Sequence, residues 1–290
     1  MTALPKGIRA AGQLGSPRHW RWRRLLRSLD LTTETLERPV ASPGPRDFVI
    51  CGSPRTGTSL AAAALHQPPA SLTVMEPWDG MRLPIAPLFA SLRDEIDRTG
   101  AIRRGKLDTQ ALEDGEVRWI REGNRTVSVQ TGPDYLLGVK WPAFWRYLEL
   151  LPDTRFVVCV RHPVEVIASY RAVGGRLHEG LDYDIAFNRQ MNEELAAASP
   201  DSATRRVLLH EYITERILPY LDRPNVYCLR YERWFSERRQ ILTELSDFLE
   251  TDLRGSTVRV RASRTPDLPA PELDLILRLC TTASQLGYKL

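Results

Sequence analysis

The chain has 290 residues, 42% hydrophobic and 26% charged, a balance that excludes a disordered or collagen-like polymer and leaves a globular protein. Its formal charge of +4 is unevenly spread: residues 1 to 46 carry nine Arg and Lys against Asp30, Glu34 and Glu37, so this arm is +6 and the remainder −2. A basic chain ordinarily raises nucleic acid as a partner, but here the excess belongs to the arm, and no nucleic-acid partner is expected.

From the N-terminus, His19 to Leu31 (HWRWRRLLRSLDL) predicts a short basic amphipathic helix, and Pro39 to Asp47 (PVASPGPRD) has the turn residues of a linker. Residues 1–46 are therefore read as a basic arm and linker, and residues 47–290 as a single α/β domain. The arm either makes weak contact with a membrane surface or an anionic partner, or is a helix that is solvated or packed back on the body. No apolar run approaches the roughly 18 residues of a membrane span, and Arg-rich sequence occupies the place of a signal peptide's apolar middle. Cys51, Cys159, Cys228 and Cys280 form no C-x-x-C pair, which fits a reduced, cytoplasmic location. Arginine outnumbers lysine 36 to 4, a composition that points to a GC-rich bacterial genome.

Phe48 to Cys51 is a β-type apolar run, followed by a glycine-containing turn and the helix former SLAAAALHQ. Asp153 to Arg161 (DTRFVVCVR) reads as a strand buried on both faces, and Asn225 to Tyr231 (NVYCLRY) is read as a third strand. Helical patterns fall at roughly 84–98, 107–121, 142–151, 163–172, 184–198, 205–221, 232–250 and 271–286. Strands separated by helices imply a parallel sheet with helices on both faces, whose ligands sit at the carboxyl ends of the strands.

After the first strand, Gly52-Ser53-Pro54-Arg55-Thr56-Gly57-Thr58-Ser59 has the G-x-x-x-x-G spacing of a phosphate loop and opens directly into a helix. Backbone N–H groups of such a turn converge on an anion. A Walker A loop would carry Lys at 58, where this chain has Thr58, so the nearest cation is Arg55 inside the loop. An ordinary strand-to-helix turn with a solvent-facing arginine is the plainer alternative.

The run GSPRTGTSLAAAAL resembles the 5′-phosphosulfate loop of sulfotransferases that use 3′-phosphoadenosine 5′-phosphosulfate (PAPS). RFVVCVRHPVEVIASYR is similar to that family's 3′-phosphate segment, with Arg161 at the strand end and Ser169 eight residues on, about two helical turns along. GVKWPAFWRYLELLPDTRF is similar to its lysine-proline stretch, and VYCLRYERWFSERRQILTELSDFLE to its "RYE-D-L" strand and following helix. The likeness covers roughly residues 47 to 250, with Trp141 inserted between Lys140 and Pro142 and Arg233 where an acidic residue is usual.

The resemblance implies a P-loop-like sulfotransferase fold, a PAPS cosubstrate leaving 3′,5′-adenosine bisphosphate, and no metal requirement. It implies that Arg55, Thr56 and the amides of Gly57, Thr58 and Ser59 hold the 5′-phosphate, that Arg161, Ser169 and Tyr231 bind the cofactor, and that Lys140 meets the transferred group. Glu76 matches the position of the family's glutamate base, with Asp79 its neighbour and competitor. Glu76 would otherwise be a capping or ion-paired carboxylate. His162 is expected to shape the Arg-His-Pro turn, and His66 to point away from the loop. Trp78 and Trp141 are candidates for stacking on adenine or lining an acceptor pocket; Trp119, Trp234 and Phe248 are read as core. Arg261 and Arg264 are candidates to close over the 3′-phosphate. The implied activity is sulfuryl transfer to a hydroxyl of a small-molecule, glycan or lipid acceptor, in a bacterial natural-product setting. A P-loop small-molecule kinase and a non-catalytic nucleotide-binding adaptor are the alternatives, and the residues leave the oligomeric state open.

Overall fold

A computed structural model describes residues 41–81, 83–102, 127–183, 185–258, 260 and 267–290. The arm helix, the helix expected over 107–121, Trp119, Arg261, Arg264 and the Trp78 side chain lie outside the described residues.

Five strands form one parallel sheet: β1 (Asp47–Gly52), β2 (Ser71–Met75), β5 (Leu136–Lys140), β6 (Arg155–Val160) and β7 (Val226–Arg230), in the spatial order β2-β5-β1-β6-β7. A two-residue pair, β3 (Ala101–Ile102) and β4 (Val127–Ser128), makes a small antiparallel ribbon. β1, β2 and β5 are buried at every position, as is β6 from Phe156 onward, which is why they read as continuous apolar runs. β5, within the lysine-proline stretch, is a strand that apolar patterning alone did not single out; Gly138 interrupts it. That glycine is required by packing, since a Cβ there would lie 2.3 Å from Phe48 Cζ.

The helices carry the expected spacing. α1 (Thr58–Leu65) follows β1, and α2 (Ile85–Thr99) buries Ile85, Leu88, Phe89, Leu92 and Ile96, a three- and four-residue repeat that faces the sheet. Gly100, at φ 60°, ends α2 and donates its N–H to Ile96. α3 (Pro163–Val173) begins with proline at its first turn, and a short α4 (Gly175–His178) follows. α5 (Arg189–Ala198) and α6 (Ser202–Ile217) come next, the latter capped by Asp201, whose carboxylate accepts the Thr204 N–H at 2.7 Å. The pattern over 142–151 resolves into a 3-10 helix, Pro142–Tyr147, and that over 232–250 into α7 (Arg233–Ser236) and α8 (Arg238–Leu249). The C-terminal pattern is broken at Cys280 into α9 (Ala270–Leu279) and α10 (Thr282–Gln285).

The core is layered. One cluster joins Val49, Val139 and Val158 to α2, the 3-10 helix and α6, while another joins Phe48, Ile50 and Val157 to α1 and α8. These alternating residues of β1 and β6 point to opposite faces, so helices cover both sides of the sheet.

Candidate active site

β1 and β5 lie side by side with Ile50 beside Lys140, and β2 lies outside β5 with Met75 beside Lys140. Glu76 therefore leaves the sheet next to Lys140, and its N–H donates to the Lys140 carbonyl at 2.7 Å. Across the next pair, Gly52 lies beside Cys159, and Val160 beside Arg230. One register thus aligns the loop at 53–57, Glu76, Lys140, Arg161 and Tyr231 along a single sheet edge, the carboxyl ends of all five strands.

The loop turns sharply because Gly52 and Gly57 adopt φ of 142° and 96°. At Gly57 a Cβ would lie 2.5 Å from Tyr231 Cδ2, so only glycine lets the loop approach β7's end this closely. Thr56, buried, turns its hydroxyl inward to the Ser53 carbonyl at 2.7 Å and braces the loop rather than facing outward. Ser53 Oγ meets Tyr170 OH at 2.6 Å, fastening the loop to α3, a buried pair that no sequence motif marks. Thr58 and Ser59 begin α1, whose first-turn N–H groups have no helical acceptors and form an anion cradle beside an exposed Arg55. This cradle fits a phosphate ester.

The two motifs expected to hold the ends of the cofactor are joined directly. Arg55 Nε donates to Ser169 Oγ at 3.0 Å, and the buried Arg161 donates to the Arg55 carbonyl at 3.4 Å. Arg161 also pairs with Glu165 at 2.9 Å and lies 4.3 Å over the Tyr231 ring. Ser169 therefore faces Arg55, while Arg161 is framed by the loop, α3 and Tyr231.

Lys140 Nζ and Glu76 Oε1 are 2.5 Å apart, the ammonium side chain only 3% exposed and the carboxylate 11%. Two charges held this far from water offset each other's loss of hydration. Outside glycine, positive φ occurs among the described residues at Arg55 (71°), Glu76 (46°) and Glu250 (55°). The last ends α8, whereas the first two hold the candidate cation and base, where backbone strain concentrates at functional sites.

His66 ends α1, accepts the Thr73 N–H at 3.1 Å on Nδ1, and is driven by burial down to about 4, a packing role away from the loop. His162 donates its backbone N–H to Glu232 at 2.7 Å, and Glu232 accepts the Tyr288 hydroxyl at 2.9 Å, so the C-terminal tail braces the Arg-His-Pro turn. Trp141 is 8% exposed and packs with Phe144 in the core, which leaves it little surface for stacking on a ligand. Trp234 is core, and Phe248 is partly buried against it. Arg233, the departure after Tyr231-Glu232, makes two bonds to Glu244 at 2.8 and 2.9 Å and one to Glu237 at 2.6 Å. It locks α7 to α8. Sequence reading missed Asp182, a fully buried carboxyl that burial pushes up to about 6, with Glu76 adding to the rise and Arg146 opposing it.

A family model described as "Sulfotransferase family" matches residues 46–254. The chain belongs to the sulfotransferase family. No curated protein matches it significantly. Among solved structures this sulfotransferase is similar to the sulfotransferase domain from the curacin biosynthetic pathway, at 17% identity over 86% of this chain and 99% of that chain, TM-score 0.41. It is also similar to sulfotransferase STF9 from Mycobacterium avium, at 13% identity over 92% and 82%, TM-score 0.46. Mouse sulfotransferase SULT7A1 complexed with PAP aligns at 14% identity over 92% and 72%, TM-score 0.32. No helix among the described residues of the sulfotransferase is long and apolar enough to cross a membrane.

Proposed function

We propose that this sulfotransferase moves a sulfuryl group from PAPS to a hydroxyl of a small-molecule, glycan or lipid acceptor, with Glu76 as general base. The observation that carries the reading is the largely water-shielded Glu76–Lys140 pair at 2.5 Å, brought together by strand register beside the phosphate loop. PAPS, when bound, supplies a sulfuryl group already activated for in-line transfer.

The chain's own residues do the rest. Arg55 and the N–H groups of Gly57, Thr58 and Ser59 bind the 5′-phosphate, and fixed donors aimed at charge need no reorganisation as that charge develops. Arg161, Ser169 and Tyr231 hold the 3′-phosphate side. Lys140 stabilises charge at the transferred group and orients Glu76, whose carboxylate takes the acceptor hydroxyl's proton. Arginine, lysine and amide donors match the modest charge of a sulfuryl group, so this reading assigns no role to magnesium. The kinase alternative would want a lysine at 58, where the chain has Thr58.

Purified protein incubated with PAPS and a panel of hydroxylated metabolites and glycolipids, followed by mass spectrometry, tests the reading. A sulfated product formed in a chelating buffer supports it. Phosphorylated product from ATP and magnesium, with none from PAPS, would replace it with the kinase.

A further inference from the structure

Away from the sheet edge, α6 crosses the C-terminal helices, and at that crossing His210, Glu211 and Cys280 lie together, each buried. One ligating atom from each, an imidazole nitrogen, a carboxylate oxygen and the thiol sulfur, falls within 4.8 Å of the others. Cys280 sits in the break between α9 and α10, which turns its Sγ toward α6.

Glu211 has an evident structural duty. Its Oε2 accepts the N–H groups of Thr281 and Thr282 at 2.8 and 3.1 Å and the Thr281 hydroxyl at 3.0 Å, and its Oε1 accepts the Thr282 hydroxyl at 2.5 Å and the Cys280 thiol at 3.1 Å. His210 has none. It is 2% exposed, yet neither ring nitrogen has a hydrogen-bond partner among the described residues. Two unsatisfied nitrogens in the interior carry a desolvation cost that no contact among the described residues offsets.

We propose that His210, Glu211 and Cys280 form a three-ligand site for a zinc-class divalent cation, whose fourth position a water molecule would take. Imidazole, thiolate and carboxylate are the ligand set that zinc takes, and the set disfavours magnesium and calcium, which want oxygen alone. The present Sγ to Oε1 separation of 3.1 Å is close to the about 3.5 Å edge that tetrahedral Zn–S and Zn–O bonds span. On binding, the thiol proton, now donated by Sγ to Oε1, leaves to solvent, the sulfur becomes a thiolate, and the cation takes the proton's place between S and O. One imidazole nitrogen supplies the third bond. Thr282 keeps its hold on Oε1, the kind of outer hydrogen bond that orients a ligating carboxylate.

The consequence is a cross-link from α6 to the tail. Beyond α10, Tyr288 holds Glu232, and the Lys289 carbonyl lies 3.1 Å from His162 Nε2, so the cation would secure the segment that braces the Arg161-His162-Pro163 turn.

The test uses the full untagged chain, stripped by chelator dialysis and titrated with cobalt(II) and then zinc. The site predicts one equivalent of cobalt with a thiolate-to-metal charge-transfer band, displacement by zinc, and a zinc-dependent rise in Tm. Cys280→Ser should lose the band, and His210→Leu should bind at least about tenfold more weakly. Without metal, His210→Leu should melt no lower than the parent, because an apolar side chain replaces an unpartnered imidazole. That result shows that its lost metal response is not a lost fold. Absence of binding, a band that survives in Cys280→Ser, or unchanged affinity in His210→Leu would overturn the proposal.

Discussion

Glu76 and Lys140 are 64 positions apart in sequence and meet because Met75 and Lys140 are neighbours across the β2–β5 ladder. Under the proposed function, Glu76→Gln should lower turnover by about 10²–10⁴-fold while leaving 3′,5′-adenosine bisphosphate affinity within a few-fold, as calorimetry would check. Equal turnover in variant and parent would move the base elsewhere, to Asp79 first. Gly57→Ala tests the cradle: its new methyl meets Tyr231 at a φ of 96°, so bisphosphate binding should fall at least about tenfold, with destabilisation of 1–3 kcal/mol or more in chemical melts. At Asp182 the sign of the pH effect follows from burial. Its carboxyl, pushed from 3.8 to about 6, binds in the folded state a proton that the unfolded chain releases. Its contribution therefore favours folding at low pH and is lost as pH rises through about 6. Asp182→Asn should gain Tm relative to the parent between pH 4 and pH 7, by an amount worth on the order of 2 kcal/mol; parallel Tm curves would contradict the assignment.

Elements were legible in the sequence where one physical signal dominated. α2 announced itself by the Ile85, Leu88, Phe89, Leu92 repeat, and β6 by the unbroken run Phe156 to Val160. β5 escaped patterning because a five-residue strand with a central glycine, LLGVK, carries no alternation; its position is set by the neighbours that zip to both its edges. The 3-10 form of Pro142–Tyr147 was equally hidden, since i,i+3 and i,i+4 spacing look alike over six residues. Arg233 shows the converse. A departure from the family pattern in sequence, it serves the α7–α8 junction, where it holds Glu244 down to about 2. Arg233→Ala should cost about 1 kcal/mol at neutral pH, reduced by the partial exposure of the pair. That difference should fade as pH drops below 4.5 toward about 2, where Glu244 protonates and the bond is lost. A pH-independent difference between the two proteins would assign Arg233 a packing role instead.

Across the whole molecule, the parallel sheet and the position of the phosphate loop followed from strand, glycine and helix order, because a parallel α/β sheet gathers ligands at one edge. Which residues touch there did not follow: the Arg55–Ser169 and Ser53–Tyr170 contacts span 114 and 117 positions and depend on how α3 lies against the loop. Net charge was similarly uninformative. A total of +4 dissolves into a basic arm and a slightly acidic body, whereas Arg55, Lys140 and Arg161 are concentrated by topology at one edge. Calorimetric titration with 3′,5′-adenosine bisphosphate in a chelating buffer tests most directly whether that concentration of cations makes a cofactor site. One-site binding that Arg55→Ala weakens at least about tenfold is the predicted result. No binding, or binding only of ATP with magnesium, would contradict it.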